Sequence, residues 1–143
     1  MDLHIDIVTP DRLVMQGLAD SVIVPAADGE LGILPNHAPL LAQLQPGQIH
    51  LRRGDLVELF AISGGYVEIR ENRVLVFAET AEMAREIDVE RARQAAERAK
   101  AALREPESDI QVLQAEAALR RALARLHAYE EIQQNTSHSR VKR

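Results

Sequence analysis

The stretch "AEMAREIDVERARQAAERA", residues 81–99, marks the point at which the chain changes from one architecture to another. All seven glycines lie at or before Gly65, and five of the six prolines lie at or before Pro46. After Thr80 the chain is dominated by Ala, Glu, Arg, Gln and Leu, most of which favour helices. This change of composition predicts two domains, one over residues 1–84 and a helical one over residues 88–133.

The first domain carries the alternating pattern of half-buried β-strands. In "LHIDIV" (3–8), the apolar side chains of Leu3, Ile5 and Ile7 alternate with polar ones. Similar short runs recur up to residue 79, separated by turn-forming segments such as "AADGE" (26–30) and "RENR" (70–73). Short strands at a spacing of roughly ten residues predict an antiparallel β-sandwich or flattened barrel, with a kink or bulge at "SGG" (63–65).

The second domain is predicted to contain two helices, each with a single apolar stripe. Pro106 ends the first helix and Ser108 or Asp109 caps the second, so the short loop between them predicts an antiparallel hairpin. Because alanine buries little apolar area, we expect the hairpin to be marginally stable and mobile. The segment 134–143 lacks periodicity and is predicted to be a disordered tail. The two stripes consist of Val89, Ala92, Ala96, Ala99 and Leu103, and of Val112, Ala115, Leu119, Ala122, Leu126 and Tyr129.

Composition and charge argue against several classes of protein. The formal net charge of −5 argues against a nucleic-acid binder, which needs a basic surface. The absence of cysteine excludes a disulfide framework and fits a reducing compartment. The N-terminal segment lacks the pattern of a signal peptide, and no apolar run approaches the roughly 20 residues that span a bilayer. Any association with a membrane is therefore expected to come through a partner.

Motifs for catalysis and for metal binding are not found. His37, Asp28 and Ser63 can be written as a triad, but G-x-S-x-G is missing and no spacing fixes their geometry. The five histidines do not have the spacing of metal ligands on a helix, and no phosphate-binding G-x-x-x-x-G-K-[ST] loop is present. We therefore expect a protein without an active site, a metal site or a required cofactor.

Arginines on both predicted helices suggest a site for an anion. Arg91 and Arg98 share a face of the first helix with Asp88, and Arg121 and Arg125 share a face of the second. A hairpin that turns near residue 107 places Arg91 between Arg121 and Arg125, so three guanidinium groups are expected to crowd together and to favour a nucleotide triphosphate. The alternative is that Asp88 is an ordinary N-cap and that the arginines are solvated or paired with Glu86, Glu97 and Glu116.

Three motifs, "DGELGILPNHAPLL" (28–41), "ISGGYVEI" (62–69) and "IDVERA" (87–92), occur in a specific order and spacing. Over nearly the whole chain this arrangement resembles the epsilon subunit of bacterial F-type ATP synthases. The resemblance implies a sandwich of about ten strands followed by a helical hairpin. It also implies a non-catalytic rotor subunit that joins the gamma subunit to the ring of c subunits. In this family the hairpin restrains ATP hydrolysis when it extends toward the catalytic alpha/beta head. The expected location is the cytoplasmic face of the cell membrane, reached through the complex.

The resemblance also implies two sets of site residues. ATP, as a regulatory ligand that holds the hairpin folded, is expected at Glu82, Ile87, Asp88, Arg91 and Ala92, with phosphate contacts from Arg98, Arg121 and Arg125. The c-ring contact is expected at Glu30, Leu31, Gly32, Ile33, Leu34, Pro35, Asn36 and His37, with Ile33 and Leu34 as an exposed apolar tip. Asn36 stands where many members carry glycine and is expected to tolerate a positive φ. Without the resemblance, this stretch is an ordinary connection with turn glycines and a surface histidine.

Two other functions fit the same sequence. The chain can be a free-standing nucleotide-sensing adaptor, which co-purification with a gamma-type partner distinguishes from a rotor subunit. It can also be a structural protein whose helices form an intermolecular coiled coil. Sedimentation tests this last alternative, because an intramolecular hairpin predicts a monomer.

Overall fold

The computed structural model describes the backbone of residues 2–141 and the side chains of residues 2–134. Ten strands come first, followed by a 3-10 turn at Ala84–Glu86 and two helices, α1 at Val89–Arg104 and α2 at Asp109–Val141. The strands are β1 Leu3–Val8, β2 Leu13–Ala19, β3 Ser21–Ala26, β4 Gly29–Ile33, β5 Leu40–Leu44, β6 Gly47–Arg53, β7 Leu56–Ile62, β8 Gly65–Arg70, β9 Arg73–Ala78 and β10 Ala81–Met83.

The strands are hydrogen-bonded in the order β10-β7-β6-β3-β5-β8-β9-β1-β2, and β4 pairs with β3 outside this path. The pairing between β3 and β5 is reduced to Ala26 opposite Leu44, so a single residue pair joins the two parts of this strand order. All neighbouring strands are antiparallel except β1 and β9, which run parallel. The predicted antiparallel sandwich is therefore confirmed, with β1 and β9 as a parallel pair within it. A parallel pair is possible here because a long stretch of chain separates the two strands.

The core of the sandwich is aliphatic, as expected from a chain with 3% aromatic residues. Leu3, Ile5 and Ile7 are all fully buried on one face of β1, in agreement with their alternation in the sequence. They pack with the inward side chains of the other strands, among which Phe60 is the largest. The alternating pattern therefore identified the inner face of the sandwich.

Gly65 opens β8 just after the connection at 63–64, where positive φ values fit the predicted kink and no register shift is present. It has a φ of 142°, and a Cβ atom added to it would lie 1.8 Å from the carbonyl oxygen of Phe77. Ser63 closes the same corner, because its Oγ accepts a hydrogen bond from the backbone N–H of Thr80 at 3.0 Å. The close approach of β8 and β9 thus requires glycine and positions the chain that leads into β10.

Both helices begin at the predicted caps. The Asp88 Oδ1 accepts a hydrogen bond from the Arg91 N–H at 3.1 Å, and the Ser108 Oγ accepts one from the Gln111 N–H at 3.1 Å. In α1 the predicted apolar stripe is confirmed, with its three alanines buried against α2. α2 extends to Val141 and overlaps the tail predicted over 134–143. The side chains beyond residue 134 lie outside the described part, and disorder of that tail stays a prediction.

α2 differs from the sequence prediction because it has a second apolar face. Ala128 and Ile132 are buried against Leu59 and Ala61 of β7, and Ile87 joins the same cluster. A helix that lies between another helix and a sheet must be apolar on both sides. The single stripe predicted for α2 is therefore incomplete, and the hairpin packs against its own sandwich rather than requiring a second chain.

Within residues 2–141, no helix is both long enough and apolar enough to cross a membrane. Among the side chains of residues 2–134, no three of His, Cys, Asp or Glu lie close enough together to hold a metal ion.

Candidate functional site

A small cavity of about 110 Å³ opens where α2 meets the sandwich. Its floor comes from the end of β7 and from the two residues, Ser63 and Thr80, that close the corner beside it. Its other wall consists of Arg121 and Arg125, which lie one helical turn apart on α2. These two arginines continue the helix face of Ala128 and Ile132, so docking of α2 brings their guanidinium groups to the sheet.

Glu82 and Arg125 form an ion pair across this junction. Glu82 lies on β10 opposite Ala61, and its Oε1 accepts a hydrogen bond from a guanidinium nitrogen of Arg125. Both side chains are half-buried, which strengthens a charge-assisted hydrogen bond relative to the same pair in open water. An anionic ligand was expected to offset the positive charge of the arginines. The Glu82 carboxylate already offsets part of that charge at Arg125.

The predicted residues of α1 lie in two different environments. Ile87 and Ala92 are buried, Ile87 against the sandwich and Ala92 against α2, and Asp88 serves as the N-cap. Arg91 and Arg98 are exposed on α1, outside the cavity that Arg121 and Arg125 line. The predicted cluster of three guanidinium groups is thus reduced to two lining the cavity, because α2 turns its arginines toward the sheet. The alternative paired the arginines with nearby glutamates, among them Glu97. In the structure Glu97 contacts Lys100 instead.

The predicted c-ring stretch is a strand followed by a turn. Glu30 to Ile33 belong to β4, and Ile33 is fully buried in the core. The expectation of an exposed Ile33 is therefore wrong, because this side chain points inward from the strand. Leu34, in contrast, is 64% exposed and remains an apolar tip.

The turn at Leu34–His37 is held by local and long-range hydrogen bonds. The His37 N–H donates to the Leu34 carbonyl at 3.2 Å, and Asn36 has a φ of 67°, which confirms the positive φ expected for this asparagine. The Asn36 N–H also donates to the Asn72 Oδ1 at 2.6 Å and so ties the turn to the β8–β9 connection. Glu30 pairs with Pro25 at the opposite end of β4 from this turn. The predicted contact residues therefore extend along a strand rather than forming one compact loop.

An exposed apolar surface lies on the outer face of β8 and β9, and sequence analysis did not single it out. Tyr66 and Phe77 are directly opposite each other on these strands, with exposures of 54% and 50%. With Val8 and Pro10 they line a shallow hollow of about 420 Å³. The chain has two tyrosines and two phenylalanines, and one of each is exposed here. Paired exposed aromatic side chains are typical of protein interfaces.

Two family models together match almost all of the described residues. The model described as "ATP synthase, Delta/Epsilon chain, beta-sandwich domain" matches residues 2–84, and "ATP synthase, Delta/Epsilon chain, long alpha-helix domain" matches residues 85–130. The chain belongs to the delta/epsilon family of ATP synthase subunits. The boundary between the two matches falls within the stretch 81–99, where the composition of the sequence changes.

Relatives of high identity within this family carry the name "ATP synthase epsilon chain". The relative from Moorella thermoacetica is 51% identical over 127 residues, which cover 88% of this chain and 95% of that protein. The relative from Halalkalibacterium halodurans is 49% identical over 125 residues, which cover 87% of this chain and 94% of that protein. The predicted membership of the epsilon-subunit family is therefore confirmed.

Solved structures of ATP synthases contain chains with the same fold. A chain in the Euglena gracilis mitochondrial ATP synthase, described with OSCP, F1 and c-ring, has a TM-score of 0.75 at 24% identity and covers 83% of this chain and 76% of that chain. A chain in the central stalk and c-ring of the Tetrahymena thermophila mitochondrial enzyme has a TM-score of 0.60 at 13% identity. The match covers 90% of this chain and 97% of that chain. The predicted combination of a sandwich and two helices is therefore confirmed.

A set of polar contacts joins β6 to α2 in this epsilon-chain fold and was not predicted from the sequence. The His50 Nε2 lies 2.7 Å from the Glu131 Oε2, and the Gln48 Nε2 donates to the Ala124 carbonyl at 3.2 Å. The signal that points to them is the second apolar face of α2, since Ala124, Ala128 and Ile132 recur every four residues. The stripe predicted for α2 contains none of these three residues, so the second face was not predicted.

Proposed function

We propose that this epsilon-chain relative is a non-catalytic rotor subunit that couples the gamma subunit to the c ring and restrains ATP hydrolysis through a mobile hairpin. The observation that carries the proposal is the way α2 docks on the sandwich. Its contact is narrow, rich in alanine, and continuous with the arginine-lined cavity. A docked helix of this kind can leave the sandwich, and an anion at the arginines can hold it in place.

The narrowness of the contact supports a mobile hairpin. On the α2 side, Ala128 and Ile132 supply the buried apolar side chains of the cluster, and the polar contacts around them are half-buried. At about 25 cal/mol per Å² of apolar surface, such a contact contributes only a few kcal/mol. A ligand with a modest preference for the docked state therefore shifts the balance between docked and extended states.

ATP as the regulatory ligand is supported by the chemistry of the cavity. Arg121 and Arg125 present two guanidinium groups beside the hydroxyl-bearing residues Ser63 and Thr80, a set that suits phosphate oxygens. A volume of about 110 Å³ is smaller than the roughly 300–1,000 Å³ of typical ligand sites. We infer that only phosphate groups enter the cavity. The nucleoside then lies outside it, along α1 at the exposed residues Asp88, Arg91 and Arg98, while the buried Ile87 and Ala92 hold this helix in place. Glu82 positions Arg125.

Two surfaces of the sandwich are suited to the expected partners. We assign the Tyr66–Phe77 surface to the gamma subunit, because paired exposed aromatic side chains are typical of protein interfaces. We assign the β4 edge and the exposed Leu34 turn to the c ring. Contact with the alpha/beta head then belongs to the extended hairpin. Through these partners the chain lies at the cytoplasmic face of the cell membrane.

The proposed function is tested by measuring thermal unfolding of the isolated chain with and without ATP. At a hundredfold excess over Kd, a ligand that binds only the folded form stabilises it by about 2.7 kcal/mol. We expect Arg125→Ala to abolish the effect of ATP and Arg120→Ala to retain it, since Arg120 is an exposed neighbour on α2. If ATP does not shift the unfolding of the wild-type chain, the nucleotide part of the proposal is wrong. Co-purification with a gamma subunit tests the rotor part separately.

A further inference from the structure

We propose that Gln48, His50 and Glu131 form a latch, here called the β6 latch, which holds α2 against the sandwich without any ligand. The latch sets how readily the hairpin leaves the docked state. Its consequence for nucleotide regulation rests on the proposed function, but docking itself is measured separately.

The β6 latch connects two residues of one strand to two turns of one helix. Gln48 and His50 are two positions apart on β6, so their side chains lie on the same face of the strand. Their partners, the Ala124 carbonyl and the Glu131 carboxylate, are seven positions apart on α2. The latch therefore fixes both the position of α2 along the strand and its rotation about its own axis.

The ring of His50 makes the latch sensitive to the loss of Glu131. The His50 Nε2 lies 2.7 Å from the Glu131 Oε2, and the side chains are 24% and 46% exposed. The Nδ1 atom of the same ring is buried and has no hydrogen-bond partner among the described residues. Glu131 is thus the one described hydrogen-bond partner of a ring that is three-quarters buried and whose Nδ1 atom is already unpaired. Without Glu131, the Nε2 atom also loses its described partner in the docked state, so docking loses the free energy of that hydrogen bond.

The β6 latch is separate from the arginine-lined cavity. His50 and Glu131 border a different cavity, of about 560 Å³, together with Arg52, Val57 and other residues, whereas Arg121 and Arg125 line the one near Ser63. A change in the latch therefore shifts docking without altering any proposed nucleotide contact. If only the docked form binds nucleotide, the apparent affinity falls in proportion to the docked fraction.

Thiol labelling measures this docking directly, because the chain has no native cysteine. Ala128→Cys places a thiol at a position of α2 that is fully buried against the sandwich. Its labelling rate then reports how often α2 leaves the sandwich. In this background we expect Glu131→Ala to raise the labelling rate about two- to five-fold, as loss of a partly exposed hydrogen bond implies. Glu130→Ala is the matched control, since Glu130 is exposed on the adjacent position of the same helix.

A second substitution tests the role assigned to the histidine ring. His50→Phe removes both nitrogens and keeps a planar ring, so adding it to Glu131→Ala should return the labelling rate most of the way to that of the background. A thiol at the buried sandwich position Val67 should label at one rate in every variant, which shows that the sandwich stays folded. The latch is refuted if Glu131→Ala and Glu130→Ala label alike, or if His50→Phe adds to the effect of Glu131→Ala. These outcomes do not depend on nucleotide, so failure of ATP binding is a distinct result.

Discussion

Single residues carry constraints that composition alone does not reveal. Asp88 illustrates this, because the same carboxylate caps α1 and belongs to the expected nucleotide site. The cap was predictable, since an acid before a helical run follows a local rule. The ion pair between Glu82 and Arg125 was not, because it joins residues 43 positions apart and depends on how α2 lies on the sheet.

Substitution of Gly65 gives a prediction at the residue scale. A Cβ atom at this position would lie 1.8 Å from the Phe77 carbonyl oxygen, and the φ of 142° is unfavourable for other residues. We expect Gly65→Ala to destabilise the sandwich by about 3 kcal/mol, through backbone strain and a shift of β9. Gly32→Ala is the control, because a Cβ atom there meets nothing within 4 Å. Equal unfolding midpoints in urea for the two variants would contradict this account.

The two helices show which buried faces the periodicity of the sequence can predict and which it cannot. For α1 the pattern identified the buried face, because this helix packs mainly on one neighbour, α2. For α2 the pattern identified only one buried face. This helix has two neighbours, and its alanines fit an apolar stripe on more than one side, so a single stripe does not describe all of its packing. The strands were also predictable, because each packs one face on the core and its apolar and polar residues therefore alternate. The parallel pairing of β1 with β9 is a property of the whole sheet and has no local signal.

The second face of α2 leads to a prediction at the element scale. Ala128 is fully buried between the helix and the sandwich, so Ala128→Gln places a larger polar group where there is neither room nor a partner. We expect α2 to leave the sandwich while the strands remain folded. A cysteine in place of Ala61, on the sheet side of the contact, should then react with a thiol reagent faster than in the parent. His127→Gln, at the exposed adjacent position, should leave that reaction unchanged.

The whole molecule contains a sandwich with its own core and a hairpin that packs against it. The main core lies entirely within residues 3–83, whereas the second cluster joins β7 to α2. We therefore expect a fragment of residues 1–84 to fold cooperatively and to bind a gamma subunit through the Tyr66–Phe77 surface. A fragment that is unfolded by circular dichroism would contradict the division into two domains.

Removal of the hairpin tests coupling and regulation in the assembled enzyme. Deletion of residues 86–143 leaves β10 and both proposed partner surfaces in place but removes α1 and α2. If the sandwich couples the gamma subunit to the c ring and the hairpin restrains ATP hydrolysis, the truncated complex should still synthesise ATP. It should also hydrolyse ATP faster than the complete complex. Phe77→Ser in the complete chain should instead weaken assembly on the gamma subunit, since it removes an exposed aromatic group at the proposed interface. Unchanged hydrolysis after truncation would remove the regulatory role from the hairpin while leaving the sandwich as the coupling element.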